Sequence, residues 1–368
     1  MPLPPIVAEI LLGIVVGPQV LAWAAVDAPV EVLALVGLAF LLLLAGLEID
    51  LDLLRGRRAT LALAGFAVSF ALAVALGVAL SAGGLVRSPL LIAVILSATS
   101  LGIVLPVLKD ASMLGTPVGQ MVVAGGTVAE ILPILLLSVL FSEQGPGIVA
   151  QLALLVAFLA FVVAVAAAIL GLEHSRRLSD ALVALQDTTS QIRVRGAVLL
   201  LMLLAALAAE FGLEAILGAF LAGATLKLVD RDDAMTHTRF ASKLQAVGFG
   251  TFVPFFFVAT GMQLDVEGLL GSGSTMARVP VFVVCLLLVR ALPALLYRPV
   301  TETRGQVVAA GLLQATSLSI PIVAGQIGVD LGLIRPENYV ALVAAGLVSV
   351  VLFPIVALRL LGAEATRA

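Results

Sequence analysis

Long apolar stretches constrain the fold of this chain more than any other feature. Nearly unbroken runs at Val32–Leu47, Leu61–Leu80 and Leu152–Leu170 approach the roughly 20 residues that cross a bilayer as a helix. Only 12% of the residues are charged and 62% are hydrophobic, which leaves too few polar groups to cover a water-soluble surface. Strands of a membrane barrel would alternate apolar and polar residues, and these runs do not. The sequence therefore predicts an all-α polytopic membrane protein, not an enzyme.

Twelve membrane-spanning segments are predicted. In chain order they cover residues 3–23, 30–48, 59–82, 89–108, 117–141, 146–171, 194–210, 213–228, 245–262, 279–297, 305–327 and 338–360. The polar stretch 173–195 separates the sixth span from the seventh and is predicted to be a linker, partly an amphipathic helix. With the N-terminus inside, sixteen of the 20 Lys and Arg residues fall in cytoplasmic segments and three in external loops. Basic residues favour the cytoplasmic side, so both termini are predicted to be cytoplasmic in a multi-pass cell-membrane protein.

Two halves of the chain resemble each other. LLLAGLEIDLDLL at Leu42–Leu54 matches FVATGMQLDVEGL at Phe257–Leu269, and SATSLGI at Ser97–Ile103 matches QATSLSI at Gln314–Ile320. The matched segments lie seven spans apart, an odd number, so the two copies have opposite orientations in the membrane. Inverted repeats are typical of secondary transporters, whose site lies between the copies near the midplane. The predicted division is a first repeat at 3–142, a linker helix and cytoplasmic loop at 143–195, and a second repeat at 196–361.

The fourth and eleventh spans each contain Ala-Thr-Ser-Leu near the middle, followed by Pro106 or Pro321. Proline lacks a backbone N–H, so the carbonyls of Gly102 and Ser317 lose their helical donors. Interruptions at equivalent points of two repeats are the best sequence indicator of a transporter's binding site. The alternative is that the hydroxyls bond back onto their own helices. The residues predicted to line the site are Thr99, Ser100, Thr316 and Ser317.

Glu130 lies at the middle of the fifth predicted span. An ionisable residue at that depth is expensive and indicates a functional site by default. Pro133 would also free the carbonyl of Ala129 as an extra ligand. Because hard cations take oxygen ligands, we predict that Glu130 transiently binds Na⁺ or K⁺ and carries the proton. The alternative is a buried acid that serves only as a structural ion-pair partner.

Arg290 lies near the middle of the tenth predicted span, and its charge is permanent. Glu130 is the one acid predicted at comparable depth. Arg290 is therefore either a fixed structural counter-charge or a competitor of the transported cation, and both interpretations remain open. One titratable carboxylate and no titratable lysine in the spans predict one proton per monovalent cation, which is electroneutral exchange.

Five segments, taken in order, resemble the monovalent cation:proton antiporter family (sodium/hydrogen exchanger type, antiporter-2 branch). They are LPPIVAEILLGIVVGP, GLAFLLLLAGLEIDLDLL, SATSLGIVLPVLKD, GQMVVAGGTVAE and PFFFVATGMQLD. The resemblance runs through essentially the whole chain. It implies a homodimer of inverted repeats with crossed discontinuous helices, whose core domain moves like an elevator and exchanges Na⁺ or K⁺ for H⁺. It implies no cofactor and no nucleic-acid partner; lipid surrounds the protein.

The chain departs from the family pattern in three places. Relatives commonly carry Asp-Asp, Asn-Asp or Gln-Asp on the fifth core helix, whereas Ala129-Glu130 stands here, so only Glu130 carries over as the ion-binding acid. Arg290 stands where many relatives have lysine, a feature that resembles electroneutral members. The usual first helix before LPP is absent, which leaves open a lost helix or a true twelve-helix form.

Two other functions remain open from the sequence. One is a symporter of an organic anion with sodium, in which half-helix N-termini would bind a substrate carboxylate. The other is a transport-inactive membrane sensor subunit, which would tolerate the loss of Glu130. A requirement for Glu130 in cation-dependent proton flux separates both from the antiporter.

Overall fold

The computed structural model describes residues 5–49, 56–141, 147–173, 191–229, 236–271, 273–301 and 303–365. Helices account for the regular structure of these residues, with a π-helical turn at Gly248–Phe252 and a 3₁₀-helix at Pro293–Tyr297. The α-helices, numbered in chain order, are α1 (Pro5–Val16), α2 (Ala28–Leu47), α3 (Gly56–Ala82), α4 (Pro89–Ser97), α5 (Leu101–Asp110), α6 (Pro117–Leu140), α7 (Ile148–Glu173), α8 (Ile192–Glu210), α9 (Ala215–Val229), α10 (Thr236–Val247), α11 (Val253–Gln263), α12 (Val266–Leu270), α13 (Gly273–Met276), α14 (Arg278–Ala291), α15 (Arg304–Gln314), α16 (Ser319–Asp330) and α17 (Pro336–Ala365).

The helices agree with the predicted membrane spans. Within the described residues, ten helical stretches are long and apolar enough to cross a bilayer by length and composition. Two shorter apolar helices, α1 and α9, coincide with the first and eighth predicted spans. The prediction of an all-α polytopic membrane protein is therefore confirmed. Most of the polar stretch at 173–195, namely residues 174–190, lies outside the described residues.

The chain forms two compact units, and each takes helices from both predicted repeats. The first unit comprises Met1–Ala25, Asp50–Leu137 and Thr260–Ala368, and the second comprises Val26–Ile49 and Ser138–Ala259. Glu130, Arg290 and both Ala-Thr-Ser segments belong to the first unit. The repeat boundaries are defined by sequence and remain a prediction.

The second unit is built around a close approach of α2 and α9. Gly46 lies against the backbone carbonyl of Phe220, and Gly223 lies against that of Leu43, so a Cβ at either glycine would overlap the other helix. Small residues that let two backbones approach are the usual contact between helices in a membrane. These two glycines therefore fix the spacing of α2 and α9.

In the first unit, α4 with α5 and α15 with α16 each form one interrupted span. Ser88 caps α4 by accepting from the Leu91 N–H at 3.3 Å, and α4 stops at Ser97. The backbone of Ala98 is extended, with φ −80° and ψ 155°, so the helix cannot continue through it. Similarly, α15 stops at Gln314. Both interruptions fall at the Ala-Thr-Ser segments, as the sequence predicts.

Candidate ion-binding site

The two interrupted spans are bonded directly to each other at Ser100. Its backbone N–H donates to the carbonyl oxygen of Thr316 at 3.0 Å. Its hydroxyl oxygen accepts from the N–H groups of Leu318 and Ser319, at 2.9 and 3.1 Å. The first N–H groups of a helix have no partners within that helix, so the Ser100 hydroxyl caps α16 across the break.

Thr99 connects the first break to α6, the helix that carries Glu130. Its N–H donates to the carbonyl oxygen of Ala129 at 3.1 Å. A Cβ at Gly126 would lie 2.9 Å from Leu101 Cδ1 and 3.8 Å from Thr99 Cγ2. Because residues four apart share a helix face, Glu130 projects from the face of α6 that packs against this break. Glu130 is 6% exposed, so the side chain is buried, and its role as the ion-binding residue stays a prediction.

Carbonyls freed by proline find donors elsewhere in the protein. The carbonyl oxygen of Ala129 accepts from Thr99, as above. The carbonyl oxygen of Ser317 lies 3.2 Å from the hydroxyl of Ser349, which shares its single proton between this carbonyl and that of Gly346 at 2.7 Å. A carbonyl oxygen has two lone pairs, so one remains on each of these oxygens. Each carbonyl oxygen therefore accepts a hydrogen bond from the protein with one lone pair. A bound cation would be coordinated by the other lone pair.

The four hydroxyls predicted to line the site have different roles. Thr99 Oγ1 donates to the carbonyl oxygen of Gln314 at 2.5 Å, which joins the first break to the end of α15. Thr316 Oγ1 donates back to the carbonyl oxygen of Leu312, in the helix that precedes it, at 3.3 Å. Ser317 Oγ is buried and has no hydrogen-bond partner among the described residues. Of the four, Ser317 therefore has the hydroxyl that remains uncommitted within the part of the chain described.

Arg290 is 1% exposed and hydrogen-bonds to uncharged oxygens from three directions. Nε donates to Thr99 Oγ1 at 3.0 Å, Nη1 to Ser69 Oγ at 2.9 Å and Nη2 to Gln314 Oε1 at 3.2 Å. Nε also lies 3.4 Å from the backbone carbonyl oxygen of Gln314, the last residue of α15. A cation at a helix C-terminus is stabilised by the helix dipole. Pairing of Arg290 with Glu130 stays a prediction.

Several uncharged polar residues of this network were missed by the sequence analysis. They are Ser69, Tyr297, Gln314 and Ser349. Gln314 Oε1 accepts from both Arg290 and the Tyr297 hydroxyl, the latter at 3.1 Å. A buried amide is costly unless it is hydrogen-bonded. Gln314 lies in an apolar span, at the position equivalent to Ser97 of the first repeat. The sequence analysis could therefore have identified Gln314 as a residue with buried hydrogen-bond partners.

Gly125 makes room for this network on α6, one turn before Ala129. A Cβ there would overlap Gln314 Nε2 and lie 2.8 Å from the Tyr297 hydroxyl. No larger residue fits without displacing the carboxamide. The arrangement places a permanent cation, two helix ends and a buried carboxylate in one unit, which is suited to binding a small ion.

The family model described as "Sodium/hydrogen exchanger, transmembrane" matches residues 1–361. This chain belongs to the sodium/hydrogen exchanger family. Over 368 residues it is 28% identical to YjbQ of Bacillus subtilis, provisionally named a Na⁺/H⁺ antiporter, and the match covers 96% of this chain but 58% of YjbQ. It is 24% identical to the Na⁺/H⁺ antiporter of Enterococcus hirae, covering 96% of this chain and 91% of that protein.

The fold is also similar to that of the sodium proton antiporter MjNhaP1 from Methanocaldococcus jannaschii. The superposition has a TM-score of 0.68 at 18% sequence identity and covers 98% of this chain and 93% of the other. Together these comparisons confirm the family that the five segments indicated. The family consists of membrane transporters, so the prediction that the protein is not an enzyme is confirmed as well.

Proposed function

We propose that this protein is a secondary active antiporter that exchanges Na⁺ or K⁺ for H⁺ across the cell membrane. The observation that carries the proposal is the position of Glu130. It is buried on α6, and the residue before it accepts a hydrogen bond from the first helix break. A carboxylate at such a site is able to bind either a proton or a metal cation, but not both at once.

The cation would be bound by Glu130 together with oxygens around the two breaks. Candidate ligands are the Ser317 hydroxyl and the second lone pairs of the Ala129 and Ser317 carbonyls. Thr99, Ser100 and Thr316 line the same region, but the hydroxyls of Thr99 and Ser100 connect the two breaks, and that of Thr316 bonds back to Leu312. Oxygen ligands of this kind suit a hard cation.

The exchange would be electroneutral, with one proton per monovalent cation. Glu130 supplies a single titratable carboxylate, and Arg290 stays charged throughout the cycle because arginine does not deprotonate in proteins. The counter-charge at Arg290 is held by Thr99, Ser69 and Gln314. It therefore changes neither the number of protons nor the net charge moved per cycle.

Alternating access would follow the elevator scheme of the family, in a homodimer with both termini cytoplasmic. Support comes from the division of the chain into two compact units, with Glu130 and both breaks in the first. Membership of the exchanger family favours antiport over an organic-anion symporter or a transport-inactive sensor.

The test is proton movement driven by Na⁺ or K⁺ in proteoliposomes loaded with a pH-sensitive dye. Wild type is expected to move protons when either cation is added, and Glu130→Gln to abolish this movement because the amide binds no proton. Glu210→Gln is the matched control, since Glu210 is an exposed glutamate at the end of α8. Its transport should equal that of wild type.

Two results would contradict the proposal. Equal proton movement by wild type and Glu130→Gln would remove this carboxylate from the exchange. Steady-state exchange that responds strongly to an imposed membrane potential would rule out the one-to-one stoichiometry, while leaving the exchange itself in place.

A further inference from the structure

The carboxamide of Gln314 is fully buried and uses only its oxygen. Oε1 accepts from Arg290 Nη2 at 3.2 Å and from the Tyr297 hydroxyl at 3.1 Å. These two donors fix which end of the amide is the oxygen. The other end, Nε2, points at Gly125 and has no hydrogen-bond partner among the described residues.

A glutamate at this position would satisfy the observed hydrogen bonds better than the glutamine does. A carboxylate accepts from a guanidinium more strongly than an amide oxygen does. It also has no N–H donor to bury without an acceptor, which is unfavourable for folding. Hydrogen bonding therefore does not explain the amide. What the amide provides, and the carboxylate does not, is the absence of charge.

We infer that Gln314 is a positioning residue that holds Arg290 without neutralising it, and that this charge weakens cation binding at the exchange site. The groups around the pair fit this role. Arg290 and Tyr297 face the carboxamide, α6 presents Gly125, and α3 presents the uncharged Ser69 to the guanidinium. The inference rests on the proposed function, because it concerns the affinity of that same site.

The physical reason lies in the need to release the ion. A permanent positive charge in a low-dielectric interior repels a cation bound nearby. An exchanger that binds its cation too tightly releases it slowly, so an Arg290 that is held by neutral Gln314 and Ser69 favours turnover at the expense of affinity. A negative charge added at position 314 would reverse that balance.

The experiment measures the apparent KM for Na⁺ in proteoliposomes at the alkaline end of the working range, where protons compete least. Gln314→Glu keeps the hydrogen bonds from Arg290 and Tyr297 and adds a negative charge beside Arg290 Nη2. We expect its KM to fall by about tenfold, with a lower maximal rate. Gln314→Met is the matched neutral control of similar size, and its KM should not fall even if its rate does.

A second carboxylate variant makes the result independent of position 314. Ser69→Asp places a negative charge beside Arg290 Nη1, on the other side of the same guanidinium. It should lower the KM for Na⁺ in the same way. Ser69→Ala is its neutral control, whose KM should not fall. A purely structural role for Gln314 would change the amount of folded protein or the maximal rate, but not the apparent KM.

The outcomes separate this inference from the proposed function. If wild type moves no protons on addition of Na⁺ or K⁺, the proposed function fails. If wild type is active and either folded carboxylate variant keeps the wild-type KM, the inference is overturned and the function stands. A fall in KM in Gln314→Met as large as that in Gln314→Glu would also overturn it, because charge would then not be the cause.

Discussion

The two helix breaks have nearly the same sequence but different hydrogen bonds. At the first break, the hydroxyl of Ser100 accepts from two backbone N–H groups of the opposite span. At the second break, the hydroxyl of the equivalent residue, Ser317, accepts from none of the described residues. Its backbone N–H is instead taken by Ser349 of α17, at 3.1 Å.

This difference separates a structural role from a functional one within one duplicated motif. The serine of the first break is committed to capping α16, so its oxygen is largely occupied. The serine of the second break, Ser317, leaves a buried hydroxyl oxygen available, while the hydroxyl of Ser349 accepts the backbone N–H of that break. Three serines therefore form a graded series that accepts two, one and no backbone N–H groups.

The largest effect is expected for Ser100→Ala. It would leave the buried N–H of Leu318 and the part-buried N–H of Ser319 without this acceptor, at about 1–3 kcal/mol each. We expect a loss of about 2–6 kcal/mol in stability, seen as a lower midpoint of thermal unfolding in detergent. Ser100→Thr retains the hydroxyl and serves as the control. A midpoint for Ser100→Ala equal to that of wild type would refute the capping role.

A smaller loss is expected for Ser349→Ala. The change removes the acceptor of one buried N–H, that of Ser317, and should lower stability by about 1–2 kcal/mol. The same unfolding measurement checks it, with Ser349→Thr as the control that keeps the oxygen. The prediction is wrong if Ser349→Ala is destabilised as strongly as Ser100→Ala.

The smallest change in stability is expected for Ser317→Ala. Its hydroxyl has no hydrogen-bond partner in the described part of the chain, so unfolding should shift by less than about 0.5 kcal/mol. If this oxygen binds the transported cation, the apparent KM for Na⁺ should rise while the midpoint stays the same. A large loss of stability would show that the two breaks are more alike than their hydrogen bonds indicate.

The elements of this fold follow from local sequence signals. Runs of about 20 apolar residues mark the spans, and the matched Ala-Thr-Ser segments mark both breaks. Glu130 was identifiable because a single carboxylate in an apolar run is conspicuous. These signals depend on a residue and its immediate neighbours, so they can be recognised without the fold.

The hydrogen bonds of the site did not follow from the sequence. The sequence suggested Glu130 as the partner of Arg290, and this pairing stays a prediction. The hydrogen bonds that hold the guanidinium come from neutral groups of α3, the first break and α15, which the sequence did not indicate. Ser69 and Ser349 are small and uncharged, so nothing in their local sequence distinguishes them from helix-bonded polar residues. Their partners become apparent only when the packed helices bring them together.

The cap that Ser100 provides to α16 also has a consequence for biogenesis. The hydroxyl and the Leu318 N–H that it stabilises are 218 positions apart in the chain. During synthesis, the second interrupted span enters the membrane after the first, and its last half-helix begins without a local side-chain cap. The α16 N-terminus thus receives its side-chain cap only by packing against the first half of the protein, which is synthesised earlier.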